Sequence, residues 1–302
     1  MSEAEAGDKP FGTVAIVGVG LIGGSLGMAL RQSGLARQVV GVEPEWPHVW
    51  VARDAGAIDH GTTDWGKGTA GADLVVLSTP VGHILEMIRD VLAWVEPGTV
   101  VTDVGSTKSA IVKRAGDNPF FVGGHPMTGS EKIGVEAARA DLFNGATWAL
   151  TPTPHTDPHA LALVERLAQT VGAKTLTLTA DAHDAMTAVT SHLPHVLASS
   201  LMRQAAEMRE TYPHAGRLSA GSFADATRVA ASSPPLWRDV CLSNKDALFA
   251  ALQHFRGQLD VLEAALEAGD GAALEAFFAQ GRDAKADWEA GRMFSEQPPP
   301  FR

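Results

Sequence analysis

The chain has 302 residues, 45% apolar and 20% charged, a balance found in folded globular proteins and unlike that of disordered or collagen-like chains. Lys plus Arg number 24 against 35 Asp plus Glu, for a formal charge of −11, which argues against non-specific binding to nucleic acid or to an anionic membrane surface. The single cysteine, Cys241, cannot close an internal disulfide, and the length suggests about two domains.

Residues 1–10 are polar and acidic, without the basic start and apolar run of a secretory leader. No apolar run reaches the ~18 residues of a membrane span, so the expectation is a soluble cytoplasmic protein with no membrane partner. Residues 13–18 read as a buried strand, 21–32 as a helix, 39–43 as a second strand and 46–55 as a helix. Strands follow at 73–79, 99–103 and 120–124, with a helix over 82–92. Further strands at 147–151 and 174–179 flank a helix at 158–171. Continuous apolar strands alternating with helices predict a Rossmann-type doubly wound α/β fold, its sheet mostly parallel and covered on both faces.

Past Ala180 the strand pattern ends, and Ala- and Leu-rich helices are expected over 182–209, 219–231, 236–267 and 271–290. Pro194 should kink or break the first of these. The expected division is a dinucleotide-binding domain over 1–179 and an all-helical substrate and dimerisation domain over 180–302, ending in a Pro-rich tail. A symmetric homodimer through the helical half is the favoured assembly.

Gly18-Val19-Gly20-Leu21-Ile22-Gly23 follows a predicted strand and opens a predicted helix, the context in which a Gly-x-Gly-x-x-Gly element binds a dinucleotide. Gly18 allows the tight turn, Gly20 leaves room for the pyrophosphate, and Gly23 lets helix and strand approach, while Leu21 and Ile22 complete the turn. Glu43 ends the second strand, 20 residues after Gly23, where an acid grips the ribose hydroxyls of NAD. Glu45 adds negative charge that would repel a 2′-phosphate, so NAD is expected over NADP, and Arg53 carries little weight against it. Alternatively the glycines mark a structural turn and Glu43 a solvated strand end, but the complete ordered series opposes that. Ser78-Thr79-Pro80 ends a later strand and should approach the cofactor through its backbone.

Ser106, after the strand at 99–103, is either a helix N-cap or a hydroxyl presented near the nicotinamide, and both can hold. His125, after two glycines and before Pro126, reads as a loop imidazole suited to act as a base near neutral pH. His192 and His195 are three apart, and with His183 and Asp184 they could be weighed as metal ligands. The lack of a cysteine cluster and the interruption at Pro194 argue against a metal, and none is assigned. Arg228 can clamp a carboxylate, held by Asp225 three residues earlier; the plainer alternative is a surface ion pair.

These segments together resemble the prephenate and arogenate dehydrogenase family of tyrosine biosynthesis. The resemblance runs over residues 13–290 and is most specific in Gly124-His-Pro-Met-Thr-Gly-Ser-Glu131 and Ser191-His-Leu-Pro-His195, supported by Phe223-Ala-Asp-Ala-Thr-Arg228 and Leu236-Trp-Arg-Asp239. It implies an NAD-dependent oxidative decarboxylation of a cyclohexadienol, prephenate or arogenate, with prephenate favoured. His125 would accept the hydroxyl proton, and Ser106 would orient the hydroxyl and the nicotinamide. Arg228 would bind a substrate carboxylate, while His195, Ser130, Glu131 and Trp237 would line the substrate pocket. Ala224 stands where some relatives carry a lysine. A β-hydroxyacid-type dehydrogenase is disfavoured because no lysine lies between Lys174 and Lys245. A non-catalytic NAD sensor would leave the base and the anion clamp without a use.

Overall fold

The computed structural model describes residues 11–129 and 132–293. An eight-stranded sheet carries the fold, in the order β3-β2-β1-β4-β5-β6-β7-β8. Its strands are β1 (Phe11–Val17), β2 (Ala36–Val42), β3 (His60–Thr62), β4 (Leu74–Leu77), β5 (Val100–Asp103), β6 (Phe121–Pro126), β7 (Thr147–Thr151) and β8 (Lys174–Thr177). All neighbours pair in parallel except β6 and β7, which run antiparallel.

The apolar strand runs have a direct cause. Val14 and Ile16 of β1, with Leu74 and Val76 of β4, enter one core together with Leu26, Leu30, Val164 and Leu167. Their alternates Ala15, Val17, Val75 and Leu77 enter the opposite core with Ile84, Ile88, Val91 and Ile111. These central-strand side chains are therefore buried whichever way they point, as in a sheet covered on both faces. The covering helices are α1 (Leu21–Ser33), α2 (Trp46–Asp54), α3 (Trp65–Thr69), α4 (Val81–Trp94), α5 (Ser109–Ala115) and α6 (Pro158–Thr170). Local chemistry sets their ends. Gly34 closes α1 at φ +65°, and Asp157 caps α6 by accepting the amides of His159 and Ala160.

The expected strands all form, within a few residues at their ends. β3 and α3 are additions, because three residues and a Gly-rich pentapeptide carry little periodic signal. β6 runs two residues further than expected, so His125 lies within the strand, paired with Ala149 of β7, and not in a loop.

The expected helix over 182–209 divides into α7 (Ala180–Thr187), a π-helical turn (Ala188–His192) and α8 (Leu193–Met208). Pro194 sits in the first turn of α8, and the wider turn just before it absorbs the missing amide. Then follow α9 (Gly221–Thr227), a 3-10 turn (Arg228–Ala231), α10 (Pro234–Ser243), α11 (Lys245–Ala268) and α12 (Gly271–Glu289). The expected helix over 236–267 breaks at Asn244, whose backbone leaves the helical region.

The chain forms two compact units, Met1–Leu248 and Phe249–Arg302. The first holds the sheet, α1 to α10 and the start of α11. The second holds the rest of α11 and α12, which Asp270 caps through the amides of Ala272 and Ala273.

Candidate active site

The strand order reverses at β1, whose neighbours are β2 and β4, and ligands of open α/β sheets bind at such a switch point. The glycine turn lies there. Gly18 has φ +92°, a conformation that favours glycine, and a Cβ on Gly23 would come within 2.1 Å of the Gly18 carbonyl oxygen. A Cβ on Gly20 would meet nothing within 4 Å, so its front is open. Gly20 is also the N-cap of α1 and offers no side-chain bond to the first amides of that helix. This leaves donors and positive helix-end potential facing the opening.

The opening belongs to a cavity of about 600 Å³, lined on this side by Gly20, Leu21, Ile22, Ser78, Thr79 and Pro80. The buried hydroxyls of Ser78 and Thr79 have no protein partner among the described residues. Orphaned donors beside an open glycine turn suit a polar, phosphate-bearing ligand. Glu43 follows β2, and its carboxylate accepts the amide of Val19 inside the turn. Its other oxygen lies 3.9 Å from His48 Nδ1. Arg53 lies beside Asp54, at 3.6 Å. These residues can hold NAD, with Glu43 at the edge of the turn.

The far side of the cavity is lined by Ser106, His125, Ser191, His192, His195 and Trp237. Ser106 does not cap α5, because that helix starts at Ser109 with Lys108 as N-cap. The cap comes from a distant residue. Asp184 Oδ1 accepts the Lys108 amide at 2.7 Å, and Oδ2 accepts the Ser109 amide at 2.8 Å.

Asp184 also accepts from His183 Nδ1 at 2.8 Å, and His183 Nε2 lies 2.8 Å from His125 Nδ1. Burial pulls the Asp184 pKa upward, but the hydrogen bonds from His183 and from the Lys108 and Ser109 amides outweigh it and hold the carboxyl below its ordinary range. Burial pushes His125 well below the usual histidine value, and His183, Lys108 and His192 push the same way. His125 is therefore a neutral imidazole at neutral pH.

Below this ring lies a fully buried pair. Lys108 Nζ donates to Asp103 and, at 2.6 Å, to the Gly124 carbonyl. Asp103 also accepts the amides of Gly105 and Gly124. Burial lowers the lysine and raises the aspartate, and their mutual attraction opposes both shifts.

On the helical side, the His195 ring stacks on Trp237 with centroids 3.8 Å apart, while His192 meets the same indole edge-on at 5.9 Å. His195 Nδ1 donates to the Ser191 carbonyl at 2.9 Å, which leaves Nε2 for a ligand. Burial lowers its pKa, the Ser191 carbonyl opposes this, and Arg228 lowers it further. Arg228 opens the 3-10 turn beyond α9 and is exposed, outside the cavity lining. The expected support from Asp225 is not seen: among the described residues no ion pair joins it to Arg228, and Asp225 is exposed. Both residues are exposed, near the end of a short helix. Ser130 and Glu131 lie outside the described residues.

Comparison with known proteins gives this arrangement its family. Residues 26–177 match the family model described as prephenate dehydrogenase, nucleotide-binding domain, and residues 179–280 match that described as prephenate dehydrogenase, dimerization domain. The chain belongs to the prephenate dehydrogenase family. It is 34% identical over 276 residues to a prephenate dehydrogenase of Bacillus subtilis (strain 168), covering 90% of this chain and 74% of that one. It is 35% identical over 283 residues to a cyclohexadienyl dehydrogenase of Zymomonas mobilis, covering 91% and 95%. The crystal structure of prephenate dehydrogenase from A. aeolicus, in complex with hydroxyphenyl propionate and NAD+, superposes with a TM-score of 0.82 at 32% identity, covering 91% of this chain and 97% of that chain.

Within this prephenate dehydrogenase family member, sequence reasoning missed the support behind His125. Lys108 received no role from its sequence context, yet it is completely buried. His183 and Asp184 stood only as discounted metal ligands. The adjacent His-Asp pair, one helical turn after the capping Thr179, was the available signal, but its partner lies 58 residues away in sequence.

Proposed function

We propose that this protein catalyses the NAD-dependent oxidative decarboxylation of prephenate to 4-hydroxyphenylpyruvate, a step of tyrosine biosynthesis. The observation that carries this reading is a neutral, partly buried imidazole, His125, in the same cavity as the open face of the glycine turn. When bound, NAD supplies the acceptor for the hydride of the carbinol carbon. Gly18, Gly20, Leu21, Ile22, Gly23, Glu43, Ser78, Thr79 and Pro80 are the residues that hold it.

The chain's own chemistry is proton handling and placement. The substrate hydroxyl proton passes to His125 as the carbinol C–H bond gives up its electron pair. The bond to the ring carboxylate then breaks, its pair enters the ring, carbon dioxide leaves, and the phenolic oxygen recovers the proton. Ser106, on the same cavity wall, orients the hydroxyl. His195, stacked on Trp237 with Nε2 available, receives the side-chain carboxylate, and Arg228 supplies attraction for the dianion from the rim.

We assign residues 1–179 to nucleotide binding and 180–302 to substrate binding and self-association, and place the enzyme in the cytoplasm as a homodimer. The helical segment has exposed Met186, Val189, Leu218 and Leu242 on its surface, apolar area suited to a second copy. Among the described residues no helix is long and apolar enough to cross a membrane. The test is NADH formation with prephenate and with arogenate in turn, each repeated with NADP. Activity on prephenate with NAD is the expected result, and activity with neither substrate would reject the reading.

A further inference from the structure

We propose that His183 and Asp184 form a positioning pair that fixes the tautomer of His125, so that Nε2 of His125 is the atom that takes the substrate proton. This deepens the functional reading above and rests on it.

The argument is a count of donors along one hydrogen-bonded line. An ionised carboxylate only accepts, so the 2.8 Å contact to Asp184 Oδ1 places a proton on His183 Nδ1. With a single ring proton, held on Nδ1, His183 has a bare Nε2, which can only accept. The 2.8 Å contact between His183 Nε2 and His125 Nδ1 therefore places the His125 proton on Nδ1. His125 Nε2 is left bare, and among the described residues it has no hydrogen-bond partner, while its ring lines the cavity.

The anchor of this line is rigid. Asp184 is buried and is also tied to the amides of Lys108 and Ser109, at the start of α5. The Asn244 amide donates to the Asp184 carbonyl at 2.8 Å, at the break between α10 and α11. The start of α5 thus holds the Asp184 carboxylate while Asn244 holds its backbone, and that carboxylate holds one imidazole, which orients the next. The two rings meet edge-on, with centroids 5.1 Å apart and planes at 65°, so the contact restricts the tilt of His125 as well as its proton. A buried aspartate that sets the tautomer of a basic histidine through a hydrogen bond is an established catalytic arrangement. Here a second imidazole stands between them.

Nitrogen-15 NMR of histidine-labelled protein tests the assignment, with the His125 signals identified by their loss in His125→Asn. A protonated Nδ1 and a bare Nε2 on His125 are expected, and the reverse would overturn the inference. Kinetics give an independent test that does not require an assigned spectrum. His183→Leu removes the acceptor and should lower kcat roughly 10- to 100-fold, the scale of losing a partner that orients a functional imidazole, with KM for prephenate and NAD affinity little changed. His183→Gln offers a carbonyl oxygen to His125 Nδ1–H and should recover most of kcat. Wild-type kcat in His183→Leu, or equal losses in both variants accompanied by lost NAD binding, would overturn the inference. If instead His125→Asn itself turned over normally, the functional reading would fail, a result distinct from either of those.

Discussion

The ammonium of Lys108 donates to the carbonyl oxygen of Gly124 at 2.6 Å. That peptide precedes His125, so a buried cation reaching across from the start of α5 fixes the backbone on which the proposed base is carried. Lys108→Met would keep the volume but leave Asp103 buried beside no cation. The expected loss is about 3–5 kcal/mol of unfolding free energy, read from a urea midpoint. A midpoint within error of wild type would mean that the pair is not needed to hold β5 and β6 together at this end.

The glycine turn offers a pair of substitutions with opposite expectations. Gly20→Ala meets open space, so stability should stay within about 0.5 kcal/mol while NAD affinity drops roughly tenfold or more, since the added methyl projects where the pyrophosphate is proposed to lie. Gly23→Ala drives a methyl to 2.1 Å from the Gly18 carbonyl and should cost about 1–3 kcal/mol as an overpacked contact. Thermal melts with NAD titrations check both. Undiminished NAD affinity in Gly20→Ala would move the cofactor away from this turn.

His192 gives the stability curve a direction. Burial lowers its pKa to about 4 from the ordinary histidine value of 6.5, with His183 and His195 acting the same way and Asp184 opposing. Its Nδ1 lies 3.1 Å from the Asn244 amide. The unfolded chain binds this proton below about 6.5 while the folded chain refuses it until about 4, so stability falls as pH drops through that window. One such group contributes about 3 kcal/mol across the window, at 1.36 kcal/mol per unit, and the depressed His125 and His195 act in the same sense. His192→Gln should flatten the fall measured by denaturant titration between those limits. An unchanged slope would assign the acid sensitivity elsewhere.

Arg228 tests how a chain of charge −11 attracts a dianion. It lies close enough to His195 to depress its pKa, yet among the described residues no ion pair ties it to Asp225. Arg228→Ala should raise the KM for prephenate about tenfold or more, the scale of one charge-assisted bond, with kcat little changed. An unchanged KM would place the carboxylate with other residues.

Much of the architecture was legible because its causes are local. β-branched runs, amphipathic helical stretches and the glycine series each declare themselves within a few positions. His125 was placed in a loop because its strand continues through two glycines and a proline, residues that weaken strand propensity; only the antiparallel partner β7 keeps the segment extended. The supports of the site were not legible for a different reason. The Asp184 cap on α5 and the Lys108 bond to Gly124 join residues far apart in the chain, and nothing in the sequence near Asp184 or Lys108 signals burial. The separation of Asp225 from Arg228 shows the converse, since helical spacing permits an ion pair without requiring one.

The central claim is that His125 is the proton acceptor beside the cofactor turn. Its most direct test is the rate of NADH formation from prephenate by His125→Asn against wild type, alongside NAD binding by both. The account requires turnover lower by about 10²–10⁴-fold with NAD affinity retained; turnover near the wild-type rate would contradict it.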